Sequence, residues 1–444
     1  MGADFEHASR SSLQKLAGQL ISLGEEIRIT DLAHPLRSET QCGALAYAET
    51  LQIELTSQSI LQEASQATGL DDFGPPDFLE RLELLCDEWG GDKNLVNLGR
   101  LSLRNKLLQH AKSRLLIQDV LSRHPEIHAV EIQAPIIVAG LPRSGTTHLL
   151  NLMAADSRLR ALPLWESYEP IPLPGETLLE NGVDRRYQRC EDTWQMMQSL
   201  SPLLSAMHPM NPDHIHEELE LMGPDFASYN YEWLSVSPRW RDHYYACDQT
   251  PHYEYMKTVL KILTWQDGDV SGESTRWVLK CPQHLEQLGV LQKVFPDATI
   301  AITHRDPVSV IQSAATMLAY GQRINRKQVD LVGLMNYWTD RVVHLLRACV
   351  RDREKLSAER SIDVLFHEFM ADDLAMVKKI YAKAGLNMTT LARDQLQAFV
   401  DEHPRGKDGR VIYNLRGDFG VEPAQLRAHF DFYVARFPVK VEVL

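Results

Sequence analysis

Basic residues are scarce in this 444-residue chain: 46 Lys and Arg stand against 60 Asp and Glu, a formal charge of −14 at pH 7. That balance excludes nucleic acid as a general partner, because non-specific binding to a phosphate backbone comes from basic surfaces. Any anionic ligand must therefore be held by a local cluster of cations. Long hydrophobic runs are missing too. No stretch of about 18 uncharged apolar residues is present, so no membrane span is expected, and the opening MGADFEHASR carries no apolar segment of signal-peptide type. The six cysteines (Cys42, Cys86, Cys190, Cys247, Cys281 and Cys349) include no C-x-x-C pair, which argues against a zinc or disulfide framework and for reduced thiols in a cytoplasm. There is no internal repeat and no low-complexity segment. With 44% hydrophobic and 24% charged residues, what remains is an ordinary globular protein with room for two or three folding units and an expected cytoplasmic location.

Two kinds of periodicity divide the chain. Residues 11 to about 130 show helical spacing in SLQKLAGQLISLG, ALAYAETLQIELTSQSILQEA, FLERLELLCDEW and LRNKLLQHAKSRLLIQDVLSRHPEI, which predicts an all-helical N-terminal region over 1–130, used for packing or for homo-oligomerisation. From Ala134 onward, short apolar runs alternate with helical stretches. The expected strands are 135-PIIVAG, 276-RWVLKC, 298-ATIAITH and 362-IDVLFHEF, and this alternation predicts an α/β fold, a P-loop-like parallel sheet flanked by helices. An insertion at about residues 157–275 separates the first two strands; insertions of that length tend to build substrate pockets and lids.

The first strand runs into PRSGTTHLL, a glycine-bounded turn that enters a helix. A nucleoside triphosphatase writes this loop G-x-x-x-x-G-K-[ST], its lysine reaching the β- and γ-phosphates. Here Gly140 and Gly145 keep the spacing, but Thr146 stands where the lysine belongs. Backbone N–H groups and the helix dipole still bind one phosphate, while Arg143 supplies a cation and Ser144, Thr146 and Thr147 supply hydroxyls. A second element, 301-AITHRDPVSVIQSAATM, ends a strand at Arg305 and starts a helix at Pro307. Ser313 then lies about two turns up on roughly the same side. Arg305 and Ser313 so placed are candidates to share one anion.

Together these elements resemble the sulfotransferases that use 3′-phosphoadenosine 5′-phosphosulfate (PAPS). In that family a P-R/K-S-G-T-T loop holds the 5′-phosphosulfate, and an Arg and a Ser eight residues apart hold the 3′-phosphate. This chain has Pro142-Arg143-Ser144-Gly145-Thr146-Thr147, then Arg305 and Ser313. The missing lysine follows, since such a donor has no γ-phosphate. The stretch 277-WVLKCPQHL resembles the family's strand-end lysine motif, which implies that Lys280 lies near the sulfuryl group. The stretch 404-PRGKDGR is similar to the basic segment that closes over the 3′-phosphate and adenine, which implies roles for Arg405 and Lys407. The resemblance covers about residues 134–415, closest to the tyrosylprotein-like branch with its P-R-S-G-T-T spelling, and makes residues 131–444 the expected sulfotransferase domain. It implies PAPS as co-substrate and no metal.

Sulfuryl transfer needs alignment, cations for the leaving oxygen and a base for the acceptor hydroxyl. Arg143 and Lys280 meet the charge. The base is open among Glu166, which sits near the place of the tyrosylprotein branch's glutamate, His284, nearest to the cytosolic branch's histidine, and His216 in 213-DHIHEE, with Glu217 beside it. The same segment is a weaker candidate for metal binding, through His214 and His216 with His208, Asp213 or Glu217. The run from Phe226 to Tyr255, rich in Tyr and Trp, suits either an ordinary core or the wall of a pocket for a small, largely apolar hydroxyl compound. A P-loop kinase, or a nucleotide binder without turnover, is the competing expectation. Thr146 speaks against the first, and the retention of both Arg143 and Lys280 against the second.

Overall fold

The computed structural model describes residues 24–407 and 409–444. The predicted helix over SLQKLAGQLISLG lies outside the described residues but for its last glycine. The chain then forms a short strand β1 (Glu26–Ile27) and four helices, α1 (Glu39–Glu49), α2 (Ser57–Thr68), α3 (Phe78–Gly91) and α4 (Asn97–Arg123). The single helical stretch expected over ALAYAETLQIELTSQSILQEA is broken in two. Thr56 accepts the Ser59 N–H as N-cap of α2, and Ser38 forms a capping box with Gln41 at the start of α1. β1 is a departure from the all-helical expectation: it pairs in parallel with β6 (Arg410–Val411), some 380 residues away in the chain.

The central sheet has four parallel strands, β2 (Ile136–Gly140), β3 (Val278–Cys281), β4 (Thr299–His304) and β5 (Ser361–Leu365), in the order β3-β2-β4-β5. Its strands are apolar because both faces are covered. Ile137, Ala139, Leu279, Ile300 and Ile302 face one core, and Ile136, Val138, Val278, Ala301 and Val364 face another. Helix α5 (Thr146–Ala154) follows β2; the insertion carries α6 (Leu164–Tyr168) and α7 (Thr250–Gln266); α8 (Pro307–Asn325) follows β4, and α9 (Leu331–Asp352) and α10 (Asp373–Lys383) complete the elements needed below. From β2 the chain crosses to β3 on one side and then over β2 to β4 on the other. The crevice at the carboxyl end of β2 is thus a topological switch point, where open α/β sheets bind ligands.

Most of the aromatic run serves a core. Phe226, Tyr231, Trp240 and Tyr244 are buried against Phe78 and Trp89 of α3 and against α4. Arg81 and Arg114 both reach Asp225, at 2.9 and 3.0 Å. Among the described residues no helix is long and apolar enough to cross a membrane.

Candidate active site

Three adjacent strand ends supply the site. After β2 the loop turns through Arg143 at φ 65° and Gly145 at φ 86°. The left-handed conformation is easy only for glycine, and a Cβ on Gly145 would lie 3.0 Å from the Phe366 ring. The turn aims the first N–H groups of α5, which have no partner within the helix, out of the sheet. Ser144 is turned inward: its hydroxyl bonds the Leu141 carbonyl at 2.5 Å and meets the Thr303 hydroxyl at 2.7 Å. It braces the loop against β4. Gly140 is needed there as well, because a Cβ would fall 1.9 Å from Thr303 Oγ1.

Lys280 enters from the neighbouring strand. It pairs in register with Val138, and its Nζ donates to Thr147 Oγ1 at 3.3 Å and to a Glu217 oxygen. The lysine absent from the loop itself is thus matched by one that reaches α5 from β3. From the other side, at the end of β4, Arg305 donates to the Arg143 carbonyl at 2.5 Å and sits over the Phe366 ring, 4.0 Å from its centroid. Ser313, on α8, accepts from Arg143 Nε at 2.9 Å. Arg143, Arg305 and Ser313 therefore converge, and Arg143 is further held by the Met207 carbonyl and by Tyr413 at 3.4 Å. The other arm of Arg305 is taken by a carboxylate from the end of the chain: Glu442 accepts from its Nε at 2.8 Å and its Nη2 at 2.6 Å.

The family model described as the sulfotransferase family matches residues 135–390, which include the loop, Lys280, Arg305 and Ser313. The chain belongs to the sulfotransferase family. As a sulfotransferase it is similar, at 23% identity over 290 residues (61% of this chain and 67% of the relative), to the omega-hydroxy-beta-dihydromenaquinone-9 sulfotransferase of Mycobacterium bovis. Its fold is similar to that of a sulfotransferase from Mycobacterium tuberculosis, with a TM-score of 0.74 and 26% identity over 86% of this chain and 100% of the other. It is also similar to that of a sulfotransferase from Mycobacterium avium, with a TM-score of 0.77 and 24% identity over 88% and 98%.

The groups weighed from sequence as the base of this sulfotransferase lie in different surroundings. Glu166, on α6, is bound by Arg160 at 2.8 Å, and Arg160 also bonds Asp267 at 2.9 Å; burial raises the Glu166 carboxyl, which Arg160 opposes. His284 has both ring nitrogens engaged, Nε2 with Glu218 and Nδ1 with the Tyr253 hydroxyl at 2.9 Å. Around Ile215 the DHIHEE segment makes a short strand-like bridge to Pro163: His216 N–H bonds the Leu162 carbonyl and Leu164 N–H the His214 carbonyl, which brings His214 and His216 to the same side. With His208 they form a triangle of rings with centroids 5.7–6.2 Å apart. Burial drives all three toward the neutral form, His208 to about 4 and His214 to about 3, and His216 well below its usual value. His216 Nδ1 is buried without a hydrogen-bond partner. Among the described residues no group of three or more His, Cys, Asp and Glu side chains is arranged to hold a metal ion.

Arg405 does not reach the Arg143–Arg305–Ser313 group; it pairs with Asp373 of α10 at 2.9 Å, and Asp373 also holds His148 of α5 at 2.7 Å. Lys407 closes a turn by bonding the Pro404 carbonyl. The residue from this part of the chain that does touch Arg143 is Tyr413. Sequence reasoning missed Tyr413, Thr303, Phe366 and Glu442, because each arrives through a contact distant in sequence. The only local signal was that Thr303 sits near the end of an expected strand; Phe366 lay inside the expected strand 362-IDVLFHEF, which in the structure gives way to a helix at that residue.

Proposed function

We propose that this enzyme moves a sulfuryl group from PAPS to the hydroxyl of a small, largely apolar acceptor. The observation that carries the reading is the convergence of Arg143, Lys280 and Arg305 from three adjacent strand ends on a loop whose lysine position is Thr146. That donor set suits two separated anionic groups. The N-terminus of α5, with Thr147, Arg143 and Lys280, would take the 5′-phosphosulfate, and Arg305 with Ser313 would take the 3′-phosphate. PAPS supplies an activated sulfuryl group on a bridge oxygen that leaves as part of a phosphate. Lys280 and Arg143 would meet the charge growing on that oxygen where water is largely excluded, which is the main contribution a protein makes to such a transfer. Ser144 and Gly145 would act by shaping the loop, and Thr146 by packing beneath it.

The apolar acceptor is supported by the mycobacterial relative, an omega-hydroxy-beta-dihydromenaquinone-9 sulfotransferase. The aromatic run adds little, since it is mostly spent on the core. All six cysteines are free, in keeping with work in a reducing compartment such as the cytoplasm.

The test is calorimetric titration with 3′-phosphoadenosine 5′-phosphate (PAP), the desulfated donor, beside ATP–Mg²⁺, on wild type and Arg305→Ala. Tight binding of PAP that falls at least tenfold in the variant, with ATP weak, is the expected result. Preference for ATP, or indifference to Arg305, would end the donor assignment.

A further inference from the structure

We propose that Glu217 is the catalytic base that takes the proton from the acceptor hydroxyl. This rests on the sulfotransfer reading above and adds a residue to it. The reacting group has to sit where the loop, the Thr147 hydroxyl and Lys280 Nζ meet, because these are the donors that can face a sulfuryl group. Among the described acidic side chains, Glu217 is the one bonded to that ammonium group. An attacking hydroxyl drawn to the sulfur beside Lys280 therefore comes within reach of the Glu217 carboxylate.

The neighbouring carboxylate fixes the geometry. Glu218 accepts the Lys280 backbone N–H at 2.8 Å and binds His284 with its other oxygen, so residues 217–218 are tied to the end of β3, the strand that carries the lysine. Exposure separates the two acids. The Glu217 side chain is 12% exposed and the Glu218 side chain 1%, so Glu217 is the less enclosed of the two. The other candidates are engaged elsewhere, Glu166 by Arg160 and His284 at both nitrogens. The three neutral rings of His208, His214 and His216 are held in a form that binds protons weakly. Burial raises the Glu217 carboxyl above its usual value, opposed by Lys280 and helped by Glu218, and a raised carboxyl is a better base near neutral pH.

The step balances without any further reagent. The hydroxyl oxygen bonds to sulfur and its proton passes to a Glu217 oxygen. The bond from sulfur to the bridge oxygen breaks, and its electron pair stays on that oxygen, facing Lys280 and Arg143. Products are the sulfate ester, PAP and protonated Glu217, which returns its proton to water.

The experiment follows PAP release from PAPS by wild type, Glu217→Gln and Glu217→Asp, with farnesol and with water alone as sulfuryl acceptors, across pH. PAP affinity and thermal melting are measured on the same samples. The groups facing Glu217 are Lys280, Glu218 and His284, so the pH profile is read by comparing the variants with one another. Expected for Glu217→Gln is a fall in kcat of about 100-fold or more, PAP binding at least as tight as in wild type because Lys280 loses a competing carboxylate, and loss of the acid limb of the kcat profile. Glu217→Asp, which keeps the charge beside Lys280, is expected to lose about tenfold and keep that limb. If Glu217→Gln retains kcat to within fivefold with the limb intact, Glu217 is not the base, and the donor assignment stands. If wild type neither binds PAP nor releases it from PAPS, the donor assignment falls and the role of Glu217 with it.

Discussion

On the proposed donor site, Glu442 takes the side of Arg305 that a 3′-phosphate would use, which leads to a quantitative expectation. Its two oxygens fill one side of the Arg305 guanidinium at 2.8 and 2.6 Å, and Ser309 lies 3.4 Å from one of them. The backbone supports this, with the Glu442 N–H on Asp306 at 2.9 Å and Arg427 on the Val443 carbonyl. For Arg305 to grip a phosphate, Glu442 must let go. The two side chains are 21% and 27% exposed, between surface pairs worth about 0.2–1 kcal/mol and buried pairs that cost about 3–5 kcal/mol to break. A penalty of about 1 kcal/mol, set near the exposed end because both groups reach water, is a factor of about five in Kd. Glu442→Gln keeps the shape and removes the charge, so PAP should bind about fivefold tighter by calorimetry. The gain should shrink as salt rises, because added ions screen the competing pair in wild type. Glu63→Gln is the control: it breaks an ion pair with Arg104 at 2.6 Å that joins α2 to α4 away from the Arg305 contacts, and should leave PAP affinity unchanged. Equal or weaker PAP binding by Glu442→Gln would refute the competition.

Three further outcomes are expected. Acidification should weaken the fold, because His208 and His214 sit at about 4 and 3 against about 6.5 in an unfolded chain. Protons then bind the unfolded state first, so stability is full above about pH 6.5 and is lost as pH falls toward the folded values. Each ring contributes at most about 2 kcal/mol of loss between pH 7 and pH 5; urea unfolding at both pH values should show it, and His208→Gln should reduce the slope. Lys280→Met removes the partner of a buried carboxylate and should cost about 3–5 kcal/mol, partly restored in the Lys280→Met/Glu217→Gln double variant, as read from urea midpoints. Gly145→Ala, at φ 86° and with Phe366 3.0 Å from the new Cβ, should cost about 1–2 kcal/mol and weaken PAP binding. Equal melting temperatures for it and wild type would show that the loop relaxes without strain.

The local patterns were legible because they rest on short-range physics. Apolar runs such as Ile136–Val138 and Ile300–Ile302 announce buried parallel strands, and three of the expected strands appear within two residues of their predicted ends. The fourth, expected over 362–369, ends at Leu365, and Phe366–Phe369 turn into a short helix instead. A glycine pair at fixed spacing before a helix announces an anion-binding turn, and Pro307 one residue after Asp306 announces the start of α8, where Asp306 caps the Val308 N–H. The strand-like bridge at Ile215 within DHIHEE was not legible, since the same letters suit a helix cap. Its conformation comes from pairing with residues 162–164.

What the sequence determined by itself was the order of strands along the chain, the loop without its lysine, and the family to which those motifs lead. Tertiary structure alone decided which strands are neighbours. The order β3-β2-β4 sets Lys280 beside Val138 and Thr303 beside Gly140, and from that one arrangement come the contact of Lys280 with Thr147 and the meeting of Arg305 with Arg143. The reason is physical. Propensity and periodicity act over a few residues, whereas a charge finds its partner through the packing of segments far apart in the chain. Thus Glu442 meets Arg305 and Tyr413 meets Arg143, although nothing in the residues around either pair announces the other.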